Sequence, residues 1–187
     1  MKIIVGVSGA SGIIYAVRLL EVLKRLEVEV HLIFSEWAVR NLALETDRGL
    51  EEVRALAACF YGNDDLAAPV SSGSFRAEGM VVVPCSMKTL SAIAHGYSDK
   101  LITRAADVTL KEKRKLILMP REAPLSVIHL NNMLAAAQAG AVIMPPMPAF
   151  YQRPQTIDDI VNHTVARILD HFGLENDLSL RWGQQPR

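Results

Sequence analysis

The stretch IIVGVSGASGIIYAVRLLEVL, residues 3–23, decides the fold class. Ile3, Ile4, Val5 and Val7 form a short apolar run of the kind that suits a parallel strand covered on both faces. Ile13, Ile14, Val17, Leu20 and Leu23 then recur at helical spacing. The glycine–serine segment between them therefore sits at the strand's carboxyl end, and its backbone N–H groups become the free donors of a helix N-terminus, which attracts an anion. Gly6, Gly9 and Gly12 are evenly spaced and match neither the G-x-G-x-x-G dinucleotide fingerprint nor the G-x-x-x-x-G-K-[ST] P-loop. Ser8 and Ser11 add hydroxyls, which suits one phosphate or a polar ring edge better than a triphosphate. A plain strand-to-helix turn with Ser11 as helix cap is the alternative.

Working outward, 187 residues, half of them apolar, suffice for one well-cored domain. Lys plus Arg and Asp plus Glu balance at 20 each, so no basic field points to nucleic acid or an anionic membrane. A small ligand or another protein is the expected partner. The apolar runs are too short to span a bilayer, and the first residues lack the apolar core of a signal peptide, so a cytoplasmic location is expected. Cys59 and Cys85 lie far apart with no C-x-x-C, and the five histidines form no ligand spacing. Neither a disulfide framework nor a zinc site is supported.

Apolar runs alternate with helical patterns along the whole chain, the rhythm of an α/β protein. Strands are expected at Val28–Phe34, weakly near Cys59–Tyr61, and at Met80–Pro84, Lys115–Met119 and Ala141–Met144. Helices are expected from Glu36, after Ser86 with Lys88 in the first turn, over 99–113, over 126–138 and from Thr156 to Phe172. The strand ends read SGASG, Ser35, PCSMKT, PREAP and PPMP. In open parallel sheets ligands bind outside these carboxyl ends. Turn chemistry explains the prolines and serines there, but not Lys88, Arg121 and Glu122 together.

VSGASG, SSGSF, PCSMKTLSAIA, RAADVTLKE, PREAPLSVIHLNNM and PPMPAFYQRPQTIDDIV, in this order, closely resemble the flavin prenyltransferases of the UbiX type, formerly called phenylacrylic acid decarboxylases. The resemblance runs from Met1 to about Trp182. It implies a single-domain flavodoxin/Rossmann-like α/β fold over residues 1–187, an open parallel sheet with helices on both faces, and a C-terminal tail from about residue 174. It further implies a homo-oligomer, a dodecamer, that binds FMN and joins a dimethylallyl group from dimethylallyl phosphate to N5 and C6 of the flavin. The product would serve a UbiD-type decarboxylase.

By this resemblance Gly9, Ala10 and Ser11 form the first FMN loop, Ser35 the next contact, and Ser86, Met87, Lys88 and Thr89 the loop around the phosphate. Arg121 is a further flavin contact. Glu122 is the acidic group beside the prenyl chain, and Glu45 a carboxylate near Ser11 and the flavin N5 edge; with Ser11 these are the expected catalytic residues. Tyr151 and Arg167 match the prenyl-phosphate ligands, and Arg104 and Lys111 the cations lining the same pocket. No metal is expected: Asp158-Asp159-Ile-Val-Asn162 breaks the D-D-x-x-D pattern, and Asp64-Asp65 has no acidic follower. Leaving-group charge then falls to positioned cations and hydrogen bonds.

Taken singly, Arg167 reads as a snorkelling surface arginine, Tyr151 as an interface aromatic, Glu45 and Lys111 as solvated helix residues, and Cys85 as a small buried hydrophobe. Trp37 and Trp182 suit either the flavin or prenyl site or a subunit contact. Two other functions compete. An FMN-dependent cysteine decarboxylase of related fold carries a catalytic histidine and a P-x-M-N motif, whereas PPMP here has Pro148 at the asparagine position. A non-catalytic flavin carrier leaves Lys111, Tyr151 and Arg167 without a task.

Overall fold

A computed structural model describes residues 1–179 and Gly183; Trp182 lies outside the described residues. The chain forms two compact units, Met1–Pro145 and Pro146–Arg187.

The first unit alternates strands and helices: β1 (Lys2–Val7), α1 (Ile13–Arg25), β2 (Glu29–Phe34), α2 (Glu36–Glu45), α3 (Leu50–Arg54), β3 (Cys59–Gly62), β4 (Gly79–Cys85), α4 (Met87–Ala94), α5 (Leu101–Lys111), β5 (Lys115–Pro120), α6 (Val127–Gln138) and β6 (Val142–Ile143). All strand pairings are parallel. Their order, β3-β2-β1-β4-β5-β6, is that of doubly wound nucleotide-binding sheets, and it reverses between β1 and β4. The expected fold class holds.

Alternation along the strands serves two cores. Ile4, Met80, Val82, Leu116 and Leu118 pack with Leu90 and Ile93 of α4, Ile102 and Ala105 of α5 and Ala136 of α6. Ile3, Val5 and Val81 fall at the intervening positions and are equally buried, and α1 packs on β2 and β4. Parallel strands covered on both faces have no polar side to show, which is why β1 and β4 read as unbroken apolar runs.

The second unit carries a 3-10 turn at Phe150–Gln152 and one long helix, α7 (Ile157–His171). Thr156 caps α7 by accepting from Asp159 N–H at 3.1 Å. Asp159 Oδ2 accepts in turn from the Gln155 and Thr156 N–H groups, each at 2.9 Å. These backbone bonds hold the Asp159 carboxyl below the usual carboxylate range, so this aspartate closes a capping box.

Candidate active site

At the end of β1, Gly12 is the residue that starts α1. Its φ of 105° is the left-handed region in which glycine costs nothing, and no side chain caps the helix from that position. Ser11 is therefore not the cap. The free α1 N-terminus expected from the sequence is instead filled from within the chain: Glu45 Oε2 accepts from Gly12 N–H at 2.8 Å and from Ile13 N–H at 3.0 Å. A carboxylate on these donors satisfies both the orphan N–H groups and the helix dipole. Asn41, one turn before Glu45, donates from Nδ2 to Ala10 O at 3.0 Å. Gly9 lies so close to Trp37 that an added Cβ would collide with the Trp37 Cβ.

The end of β4 is built differently. Ser86 caps α4, its Oγ accepting from Thr89 N–H at 3.3 Å and sharing a hydrogen bond with Thr89 Oγ1 at 3.0 Å. Ser8 joins the two loops, donating to Pro84 O at 2.9 Å and accepting from Ser86 N–H at 2.8 Å. The N–H groups of Met87 and Lys88 are left as first-turn donors outside the helix's own bonding, with the exposed Lys88 side chain beside them. Here no carboxylate among the described residues fills the helix end.

A cleft of about 780 Å³ opens at these strand ends, and Gly9, Ser35, Ser86, Lys88 and Thr89 are among the residues that line it. Trp37 also borders it, 62% exposed, with the Arg40 guanidinium 4.7 Å from its ring centroid. Ser35 caps α2 by accepting from Ala38 N–H at 3.1 Å. At the far rim Lys100 pairs with Asp64, which raises the lysine pKa above its ordinary value. Ala10, Ser11 and Met87 flank the cleft residues in sequence without lining it. Cys85 is fully buried and burial pushes its thiol up to about 12, so it is inert at neutral pH.

Arg104 and Lys111 meet at a second place, the SSGSF loop. Arg104 Nε donates to Ser71 O at 3.1 Å while its Nη1 holds Asp107 at 2.9 Å. Lys111 Nζ, bonded to Glu112 at 2.5 Å, lies 2.9 Å from where a Cβ on Gly73 would be. The lysine holds the Glu112 carboxyl below the usual range. Arg114, which the sequence did not single out, grips Gly73 O at 2.9 Å and Phe75 O at 2.5 Å. Three cations thus surround a loop of small hydroxyl residues. Arg121 and Glu122 stand exposed after β5, the former donating its N–H to Cys85 O at 3.2 Å and the latter accepting from Ala123 N–H at 3.0 Å.

Within the second unit, Tyr151 Oη lies 3.3 Å from His163 Nε2, and the Arg167 side chain, 56% exposed, pairs with Asp170 at 2.8 Å. His163 and Arg167 are one turn apart on α7. Burial first, and Arg167 second, lower the His163 pKa. His163 is a neighbour of the expected donor ligands that only the folded chain reveals.

The Flavoprotein family model matches residues 1–169. The flavin prenyltransferase LpdB of Lactiplantibacillus plantarum is 56% identical over 182 residues, 97% of either chain. The flavin prenyltransferase UbiX of Escherichia coli is 56% identical over 184 residues, again 97% of either chain. The chain belongs to the flavin prenyltransferases of the UbiX type. Among solved structures, AnUbiX in complex with FMN and dimethylallyl pyrophosphate matches with a TM-score of 0.97 at 51% identity, over 99% of this chain and 98% of that one. A dodecameric FMN-dependent UbiX-like decarboxylase from Escherichia coli matches with a TM-score of 0.95 at 55% identity, over 97% and 99%. The peptidyl-cysteine decarboxylase EpiD, at 19% identity and a TM-score of 0.60, shares the fold alone.

The residues of the UbiX-type chain fit an FMN. The cleft is in the size range of cofactor sites, roughly 300–1,000 Å³, and it combines hydroxyls and an uncompensated helix end with a lysine, the donor set a phosphate needs. Among the described residues no group of His, Cys, Asp and Glu is placed to hold a metal ion.

Proposed function

We propose that this chain transfers the dimethylallyl group of a dimethylallyl phosphate ester to N5 and C6 of reduced FMN, and that the product is passed as cofactor to a UbiD-type decarboxylase. In this reading it works in the cytoplasm as a homo-oligomer, a dodecamer, and serves aromatic-acid decarboxylation such as that of ubiquinone biosynthesis. The observation that carries the reading is a pair of places that gather donors and cations: the open α4 end beside Lys88, and the SSGSF loop with Arg104, Lys111 and Arg114 around it, where Arg104 and Lys111 each also hold a carboxylate, Asp107 and Glu112. A flavin carrier needs the first; a transferase with a phosphate leaving group needs both.

When bound, reduced FMN supplies the nucleophilic ring atoms. The α4 end, Ser86, Lys88 and Thr89 bind its phosphate, with Ser35 and the Gly9–Ser11 loop along the cleft and Arg121 as a further contact. Arg104 and Lys111 hold positive charge where the donor phosphate departs, and Tyr151 and Arg167 of a neighbouring copy complete that grip. Preorganised charge of this kind acts without reorganisation at the moment of bond breaking. Ser11 Oγ and the Glu122 carboxylate hold and move the proton that leaves the ring, with Glu45 behind the Ser11 loop.

The test is anaerobic incubation with reduced FMN and dimethylallyl phosphate, in parallel with the diphosphate, followed by mass spectrometry of the flavin. The expected result is a gain of one prenyl unit. An unmodified flavin with both donors would overturn the reading.

A further inference from the structure

Helix α2 touches the glycine loop three times along one stripe. Trp37, Asn41 and Glu45 stand four residues apart, hence on one helix face. They meet successive parts of the loop: Trp37 Cβ over Gly9, Asn41 Nδ2 on Ala10 O, and Glu45 Oε2 on Gly12 and Ile13 N–H. The peptide between the second and third contacts carries Ser11. Of its own the loop has one backbone bond, Ala10 N–H to Ser8 O at 2.9 Å; two glycines bracket Ala10 and Ser11, and no side chain of the loop caps α1. Its shape is thus imposed from α2, and the central contact is a donated hydrogen bond: facing a carbonyl, the Asn41 amide must present its NH₂.

We propose that Asn41 is a positioning residue for Ser11, fixing the Ala10 carbonyl so that the Ser11 hydroxyl meets the flavin in working geometry; this rests on the prenyl-transfer reading above. The two loop ends differ in consequence. Glu45 secures the helix side of Ser11 with two hydrogen bonds, whereas on the strand side Asn41 supplies the one side-chain bond, next to the backbone bond from Ala10 N–H to Ser8 O at 2.9 Å.

The test is a double-mutant cycle in prenyl transfer with the full-length protein, using reduced FMN and dimethylallyl phosphate. Asn41→Ala should lower kcat by about tenfold, the scale of one well-placed hydrogen bond plus the misplacement it permits, with FMN Kd and donor KM within about twofold. Asn41→Asp, of the same shape but presenting an acceptor to a carbonyl, should lose at least as much. In a Ser11→Ala background, Asn41→Ala should cost less than about twofold, because the group it positions is gone. Equal losses in both backgrounds would show a role outside Ser11, and full activity of Asn41→Asp would show that only side-chain bulk matters; either overturns the proposal. So would a Ser11→Ala variant as active as the parent. An unsubstituted protein that transfers no prenyl group at all would overturn the functional reading and this proposal with it, a result separable from the others because it needs no variant.

Discussion

Two loops of similar composition leave neighbouring strands of the same sheet, and they do opposite things with the helix end each creates. The loop after β1 leads into α1, whose first N–H groups are taken by Glu45 from the end of α2. The loop after β4 leads into α4, whose end is capped by Ser86 and brings Ser86, Lys88 and Thr89 to the cleft, with the Met87 and Lys88 N–H groups as first-turn donors. The difference teaches that a helix N-terminus at a strand's carboxyl end is only an opportunity for an anion. The rest of the chain decides whether the anion is its own carboxylate or a ligand's phosphate. Ser8, hydrogen-bonded to Pro84 O and Ser86 N–H, makes the filled loop a support for the open one.

The contrast breaks most sharply at Lys88. Lys88→Glu puts a carboxylate at the open end and removes a charge-assisted contact worth ~1.5–3 kcal/mol, so FMN affinity measured by flavin fluorescence should fall roughly ten- to a hundredfold or more, while riboflavin, which lacks the phosphate, should be nearly unaffected. Equal losses for both flavins would remove the phosphate from α4.

Gly12→Ala acts on the filled loop. With φ at 105° a Cβ costs ~1–2 kcal/mol, and the melting temperature should fall by roughly 2–8 °C for a chain of this size. An unchanged melting temperature would mean that the loop relaxes freely, against the α2 contacts described here.

Glu45→Gln keeps the shape of the side chain and removes its charge from the α1 end. The expected cost is ~0.3–1 kcal/mol of stability, with the FMN phosphate affinity intact. A loss of FMN affinity as large as that of Lys88→Glu would erase the distinction between the loops. The smallest effect is expected at Cys85, behind the open loop. With its thiol pushed up to about 12 by burial, it should resist alkylation at neutral pH until the protein is unfolded, whereas the half-exposed Cys59 reacts first. Rapid labelling of Cys85 in the native protein would show that the buried end of β4 opens.

Much of this arrangement is legible in the sequence because it is local. Apolar runs give β1, β2, β4 and β5, and Ser86 ahead of a helical pattern gives the α4 cap with Lys88 in its first turn. The filling of α1 is not local: Glu45 lies 33 positions beyond Gly12, and nothing in SGASG announces it. Asn41 and Glu45 at helical spacing just after β2 were the available signal, and it becomes readable only when α2 is known to lie beside the loop. The short α3 escapes because only Val53 is buried, too little to set a period. Arg104 and Lys111 were singled out by resemblance; their gathering at the SSGSF loop, with Arg114, depends on α5 packing beside a segment some forty residues earlier. Tyr151 and Arg167 are surface residues by every local criterion, and the resemblance alone marks them.

A crystal structure of the FMN complex will show whether the α1 end is closed by the protein itself and the α4 end is kept for the flavin. The phosphate is expected within hydrogen-bond reach of the Met87 and Lys88 N–H groups and the Ser86 and Thr89 hydroxyls, with Glu45 still on Gly12 and Ile13. A phosphate seated at Gly12 and Ile13 with Glu45 displaced would contradict that arrangement.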